Sequence, residues 1–119
     1  MQTNKGENLI VQLSFSFSID SIRYCEYLND EKKFSISNQL LRSSTSIGAC
    51  VREAQNAESR MDFIHKMKIA AKEADETHYW LQLCNELNYG DCLKLIESCV
   101  SIIKILSKII GSTKRNIIS

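Results

Sequence analysis

Ser35-Ile36-Ser37-Asn38-Gln39-Leu40-Leu41-Arg42-Ser43-Ser44-Thr45-Ser46-Ile47-Gly48-Ala49-Cys50-Val51-Arg52-Glu53-Ala54-Gln55-Asn56-Ala57 places Ile36, Leu40, Ser43, Ile47, Cys50, Ala54 and Ala57 at alternating steps of four and three. Those steps return to one face of an α-helix, and a strand has no use for them. The face is built largely from small residues, with Ser44, Gly48 and Ala49 beside it. A mid-helix glycine costs about 1 kcal/mol relative to alanine, so Gly48 implies close approach by a neighbouring helix backbone. Ser35 reads as the N-cap of this segment, spanning about 35–57.

The same period recurs on both sides. Upstream, Ile10, Leu13, Phe17, Tyr24 and Leu28 mark a helix over about 7–28. Its centre, Ser14-Phe15-Ser16-Phe17-Ser18-Ile19, alternates as a strand would. A lone strand has no partner in a helical chain, so the segment reads as helix. Downstream, Phe63, Met67, Ala70, Ala74, Thr77, Leu81 and Cys84 mark a helix over about 60–88, with Ser59 and Asp62 as its cap. Gly90 reads as its stop and Asp91 as the next N-cap. Cys92, Ile96, Cys99, Ile103, Leu106 and Ile110 mark a fourth helix over about 91–110, with a second apolar row of Leu95, Ile102, Ile105 and Ile109. Gly111-Ser112 reads as its end, leaving 112–119 as a frayed tail. Short connections force antiparallel neighbours, so residues 1–119 are expected to form one all-α, antiparallel, up-down-up-down four-helix bundle.

Length and composition agree. A chain of 119 residues, 44% hydrophobic and 24% charged, suits a single core, and zero prolines with four glycines cannot supply the turns of a β-sandwich. No apolar run reaches the length of a membrane span. The N-terminus lacks the apolar stretch of a signal peptide. Five cysteines without a Cys-x-x-Cys pair read as small, buried, reduced thiols, which implies a cytoplasmic location.

Enzyme signatures are missing: no Gly-x-Gly-x-x-Gly, phosphate-binding loop or Gly-x-Ser-x-Gly elbow occurs. Asp62-x-x-His65 and Asp75-x-x-His78 each resemble half of a di-metal carboxylate site. They share one helix about 19 Å apart and point in different directions, so no metal site closes and no cofactor is expected. Charge is more informative. Arg60, Lys66, Lys68 and Lys72 face only Asp62 in sequence, whereas Glu73 to Asp91 holds five acids and no Lys or Arg. From Lys94 onward, five basic residues, among them Lys104, Lys108, Lys114 and Arg115, accompany Glu97 alone. With Arg42 and Arg52 these residues form a candidate surface for RNA or DNA backbones despite a net charge of only +1. Tyr79, Trp80, Leu83 and Leu87 lie off the main stripe and are candidate anchors of a subunit interface.

The run Leu41-Arg42-Ser43-Ser44-Thr45-Ser46-Ile47-Gly48-Ala49, then Glu53-Ala54, Ala57-Glu58-Ser59, Asp62-Phe63-Ile64, Lys72-Glu73-Ala74, Glu76-Thr77 and Tyr79-Trp80-Leu81, resembles the signature of a known family. These are the small four-helix-bundle proteins encoded in intervening sequences of bacterial 23S ribosomal RNA genes, to which the accessory variability protein of diversity-generating retroelements is similar. The resemblance implies a bundle that assembles into a ring, typically a homopentamer, and carries over no catalytic residue. Position 50 is Cys where the family usually has Asn. Glu53, Lys72, Glu73 and Glu76 are a candidate ion-pair network between the second and third helices. The reading at this point is a non-enzymatic, ring-forming, nucleic-acid-binding homo-oligomer, with a protein-interaction scaffold as the alternative.

Overall fold

A computed structural model describes residues 5–118, with side chains from 9 to 117. Four helices follow in order: α1 (Lys5–Asp30), α2 (Phe34–Ala54), α3 (Arg60–Glu86) and α4 (Leu93–Ile118). Each short connection reverses the chain. Helix α1 packs on α2 and α4, and α3 packs on α2 and α4, so α1 lies diagonally across the bundle from α3, and α2 from α4. The product is an all-α four-helix bundle measuring 50 × 21 × 21 Å.

Most residues of the sequence stripes line its axis, but on α4 the second apolar row of Leu95, Ile102 and Ile109 is buried beside Cys92, Cys99 and Leu106, whereas Ile96, Ile103 and Ile110 of the expected main stripe are half-buried. Ile10, Phe17, Tyr24 and Leu28 of α1 meet Leu40, Ile47, Val51 and Ala54 of α2, Met67, Ala70, Ala74, Leu81 and Cys84 of α3, and Cys92, Cys99, Ile102 and Leu106 of α4 in one core. Small polar groups join neighbouring helices within it. Ser37 Oγ donates to the Cys25 carbonyl at 3.1 Å, while the Cys25 thiol points back at the Ser37 carbonyl at 3.5 Å. The Ser43 and Thr77 hydroxyls are 2.9 Å apart, and the Cys99 thiol donates to the Ala74 carbonyl at 3.4 Å. At Gly48 α1 and α2 approach closely: a Cβ there would sit 3.2 Å from Ser18 Oγ and 3.3 Å from the Ser14 carbonyl oxygen.

Several boundaries differ from the sequence reading. Helix α1 closes by a Schellman turn in which Lys32 takes φ 62, with Lys33 N–H on the Leu28 carbonyl at 2.8 Å and Lys32 N–H on Asn29 at 2.9 Å. Lys33 then starts α2 at once, and its carbonyl accepts from Ser37 N–H at 3.1 Å, so Ser35 lies inside the first turn and caps nothing. Helix α2 stops at Ala54 rather than near 57, because Gln55 and Asn56 tighten into i→i+3 bonds with Arg52 and Glu53 ahead of the reversal. Ser59 does cap α3, accepting from Asp62 N–H at 3.0 Å, and the Asp62 carboxylate accepts from Glu58 N–H at 3.1 Å. At the other end of α3 the left-handed residue that closes the Schellman turn is Asn88 (φ 58), two residues before Gly90. The largest correction concerns the tail: 112–118 is helical, not frayed, while Ser119 lies outside the described residues. Gly111 lowers helix propensity but keeps helical dihedrals, so it does not terminate α4.

Candidate nucleic-acid interface

The interhelical contacts fix a common level across the bundle: Ser14 of α1 beside Gly48 of α2, and Ala74 of α3 beside Cys99 of α4. Positions 9–19, 43–51 and 98–103, close to that level on α1, α2 and α4, carry no Lys, Arg, Asp or Glu. On one side lie the end of α2, the first half of α3 and the second half of α4. They bring together nine basic residues (Arg52, Arg60, Lys66, Lys68, Lys72, Lys104, Lys108, Lys114 and Arg115) against Glu53, Glu58 and Asp62. On the other side, segments 20–42 and 73–97 hold ten acids against five bases. Antiparallel topology thus turns alternating charge along the chain into a bundle that is +6 in one half and −5 in the other, setting aside Lys5 and Glu7. Antiparallel helix macrodipoles largely cancel, so side chains make this polarity.

Within the basic half the candidates are not equivalent. Arg52, Arg60, Lys68, Lys72, Lys104, Lys108, Lys114 and Arg115 are exposed. Arg52 also lies over the Phe15 ring, 5.8 Å from its centroid. Lys66 is tied to Asp62, with its ammonium 2.9 Å from both carboxylate oxygens. That contact lowers the Asp62 pKa and raises that of Lys66. Lys114 of α4 has Lys68 of α3 beside it, and the contact between the two amines lowers the Lys114 pKa. Two helices therefore present adjacent cations on one surface.

Arg42 falls outside this group. It lies on the acidic side of the common level and binds across to α3, with Nη1 3.3 Å from Glu73 Oε2 and Nη2 on Glu76 Oε2. Glu76 also accepts the Trp80 indole N–H at 3.0 Å. The network read from the sequence therefore needs correction: Glu73 and Glu76 belong to it, but their cation is Arg42. Among the described residues neither Glu53 nor Lys72 makes an ion pair. Lys72 adjoins Glu73 on the same helix, and adjacent side chains diverge by about 100°. Glu53 instead lies near Cys50, whose thiol pKa is raised by burial first and then by Glu53 and Glu73. Burial likewise pushes the Cys25 thiol to about 11 and the Cys99 thiol to about 12. His65 is exposed and His78 half-buried, and no group of three His, Cys, Asp or Glu converges as a metal site among the described residues.

Of the candidate interface anchors, Tyr79 and Leu87 are each 54% exposed, Leu83 is half-buried, and Trp80 packs edge-on to Tyr79 while reaching the core. The sequence reading missed a second apolar line. Phe15, Ile19 and Ile22 follow i, i+4, i+7 on the outside of α1 and are 56%, 37% and 41% exposed. Their signal was present as the Ser-Phe-Ser-Phe-Ser-Ile alternation, in which Phe17 points inward while Phe15 and Ile19 point outward. No helix is long and apolar enough to cross a membrane among the described residues.

Residues 6–110 match the family model described as 23S rRNA-intervening sequence protein. The chain is also similar to a crystal structure of a Bacteroides thetaiotaomicron protein of unknown function from the S23 ribosomal protein family. That likeness has 40% identity and a TM-score of 0.84, over 89% of this chain and 98% of that one. No curated protein matches the chain.

Proposed function

Because the chain belongs to the 23S rRNA-intervening sequence protein family, we propose that it is a non-enzymatic cytoplasmic protein that assembles side by side into a ring, a homopentamer, and holds RNA or DNA by its phosphate backbone. The observation that carries this reading is the gathering of nine basic residues against three acids in one half of the bundle. Exposed Lys and Arg spread over several helices suit phosphates, which demand charge and reach but no base-edge geometry. Arg52, Arg60, Lys68, Lys72, Lys104, Lys108 and Lys114 are the contacts proposed, together with Arg115. Arg42 and Lys66 contribute less, because carboxylates of this chain already engage them.

Ring assembly is supported by where the exposed apolar lines lie. Phe15, Ile19 and Ile22 are on α1, and Tyr79 and Leu87, with half-buried Leu83 between them, are on α3, the diagonally opposite helix. Two different apolar surfaces on opposite sides of one protomer are what a head-to-tail ring requires, each side meeting the other side of the next copy. Parallel copies would gather all their basic halves on one face of the ring.

The test is fluorescence anisotropy of a labelled structured RNA titrated with protein over a series of salt concentrations. We expect log affinity to fall linearly with log salt, with a slope of several units. Replacing Lys68 and Lys114 together by Gln should reduce that slope by about two, and Arg42→Gln should leave it nearly unchanged. Failure to bind at low salt, or equal effects of these variants, would overturn the reading.

A further inference from the structure

At the acidic end of the bundle the α1–α2 and α3–α4 connections enclose an open cavity of about 230 Å³, lined by Tyr27, Leu28, Glu31, Lys33, Leu87, Asn88 and Tyr89. Its aromatic walls are held from behind. Tyr24 stacks on Tyr27 with ring centroids 6.1 Å apart, and the Tyr24 hydroxyl donates to the Tyr89 carbonyl at 2.6 Å. Gly90 (φ +73) lies so close under Tyr27 that a Cβ there would be 2.6 Å from the ring. The Schellman turns at Lys32 and Asn88 fix the two connections.

One interaction reports what this cavity favours. The Lys33 ammonium sits over the Tyr89 ring, 4.8 Å from its centroid. Tyrosine faces attract cations, the Glu31 carboxylate lines the same cavity, and the surrounding half carries the −5 charge. We propose that this cavity docks an arginine or lysine side chain of a basic partner polypeptide, and that Lys33 is the tethered cation which the incoming side chain displaces from Tyr89. A polypeptide suits the surroundings better than a small amine: the cavity opens at one end of the molecule beside Asp30, Glu86 and Asp91, acids able to meet further cations of the same strand. The proposal does not depend on nucleic-acid binding, which uses the opposite half.

The experiment titrates a fluorescein-labelled peptide of alternating arginine and glycine with the full chain at low salt, comparing wild type with Lys33→Gln, Lys32→Gln and Tyr89→Leu. Lys33→Gln and Lys32→Gln remove the same charge from neighbouring positions, but only Lys33 occupies the ring. Lys33→Gln is expected to bind about threefold more tightly than Lys32→Gln, and Tyr89→Leu, with unchanged helical content, about three- to tenfold more weakly than wild type. If Tyr89→Leu does not fold, the two lysine variants decide alone. Equal affinities for the two lysine variants would overturn the proposal, as would absence of peptide binding. So would a protein mass that rises with concentration in a Lys33-dependent way which excess peptide does not reverse, since the cation would then come from a second copy of the chain.

Discussion

Lys32 and Asn88 hold left-handed backbone, φ 62 and φ 58, at the ends of α1 and α3. Asparagine tolerates that region through its short polar side chain, whereas lysine pays the Cβ–carbonyl clash without return. Lys32 is exposed, and its own side chain enters no ion pair among the described residues. Lys32→Gly should therefore raise the free energy of unfolding by about 1 kcal/mol, since the Schellman hydrogen bonds are retained and the strain is removed. Gly111 is the converse case. It stands inside α4 with helical dihedrals, and among the described residues an added Cβ would meet only Arg115 Nη1, at 3.5 Å. Gly111→Ala should be stabilising by up to about 1 kcal/mol through helix propensity. Urea denaturation of both variants checks this. A loss of stability at 111 would mean that α4 does not continue as a helix past that residue.

At the scale of the element, α1 carries two registers at once. Ile10, Ser14, Phe17, Ser21, Tyr24 and Leu28 are buried along the core, while Phe15, Ile19 and Ile22 form a line facing outward. A helix that serves only its own bundle has no need of the second line, and covering it requires another surface. Ile19→Glu should leave helical content unchanged, because the side chain lies outside the core. It should reduce the mass measured by light scattering at micromolar concentration to that of the 13.6 kDa protomer. A wild-type chain already monomeric at that concentration would refute ring assembly outright. The bundle itself was legible because each core face repeats every three or four residues, and that period survives whatever the neighbouring helices do. What the spacing could not supply was pairing between helices. Glu73 and Glu76 are read from the sequence as a network with Glu53 and Lys72, but the cation facing them lies 31 and 34 residues earlier in the chain, at Arg42. Helix ends were obscured for a related reason. Gly90 and Gly111 are the residues propensity selects as stops, yet the left-handed turn after α3 falls on Asn88 and α4 runs straight through Gly111.

The whole molecule is nearly neutral in sum and strongly polar in arrangement. A net charge of +1 and a sequence pI of about 7.6 describe a chain that should have little affinity for any charged matrix near neutral pH if its charges were evenly mixed. Here the two halves carry +6 and −5, separated along a 50 Å axis that exceeds the screening length of about 10 Å at 0.1 M salt. A charged surface therefore meets one half with little opposition from the other. At pH 7.5 and low salt the protein should be retained on both a sulfonate resin and a quaternary-ammonium resin, each engaging the half of opposite sign. Replacing Lys68, Lys104, Lys108 and Lys114 by Gln should abolish retention on the sulfonate resin while preserving or strengthening it on the other. Flow-through on both resins by the unmodified protein would mean that the charges act as an average, and polyanion binding at one end would lose its physical basis. Retention on both would establish that the antiparallel path of the chain, rather than its composition, decides which partners each end can meet.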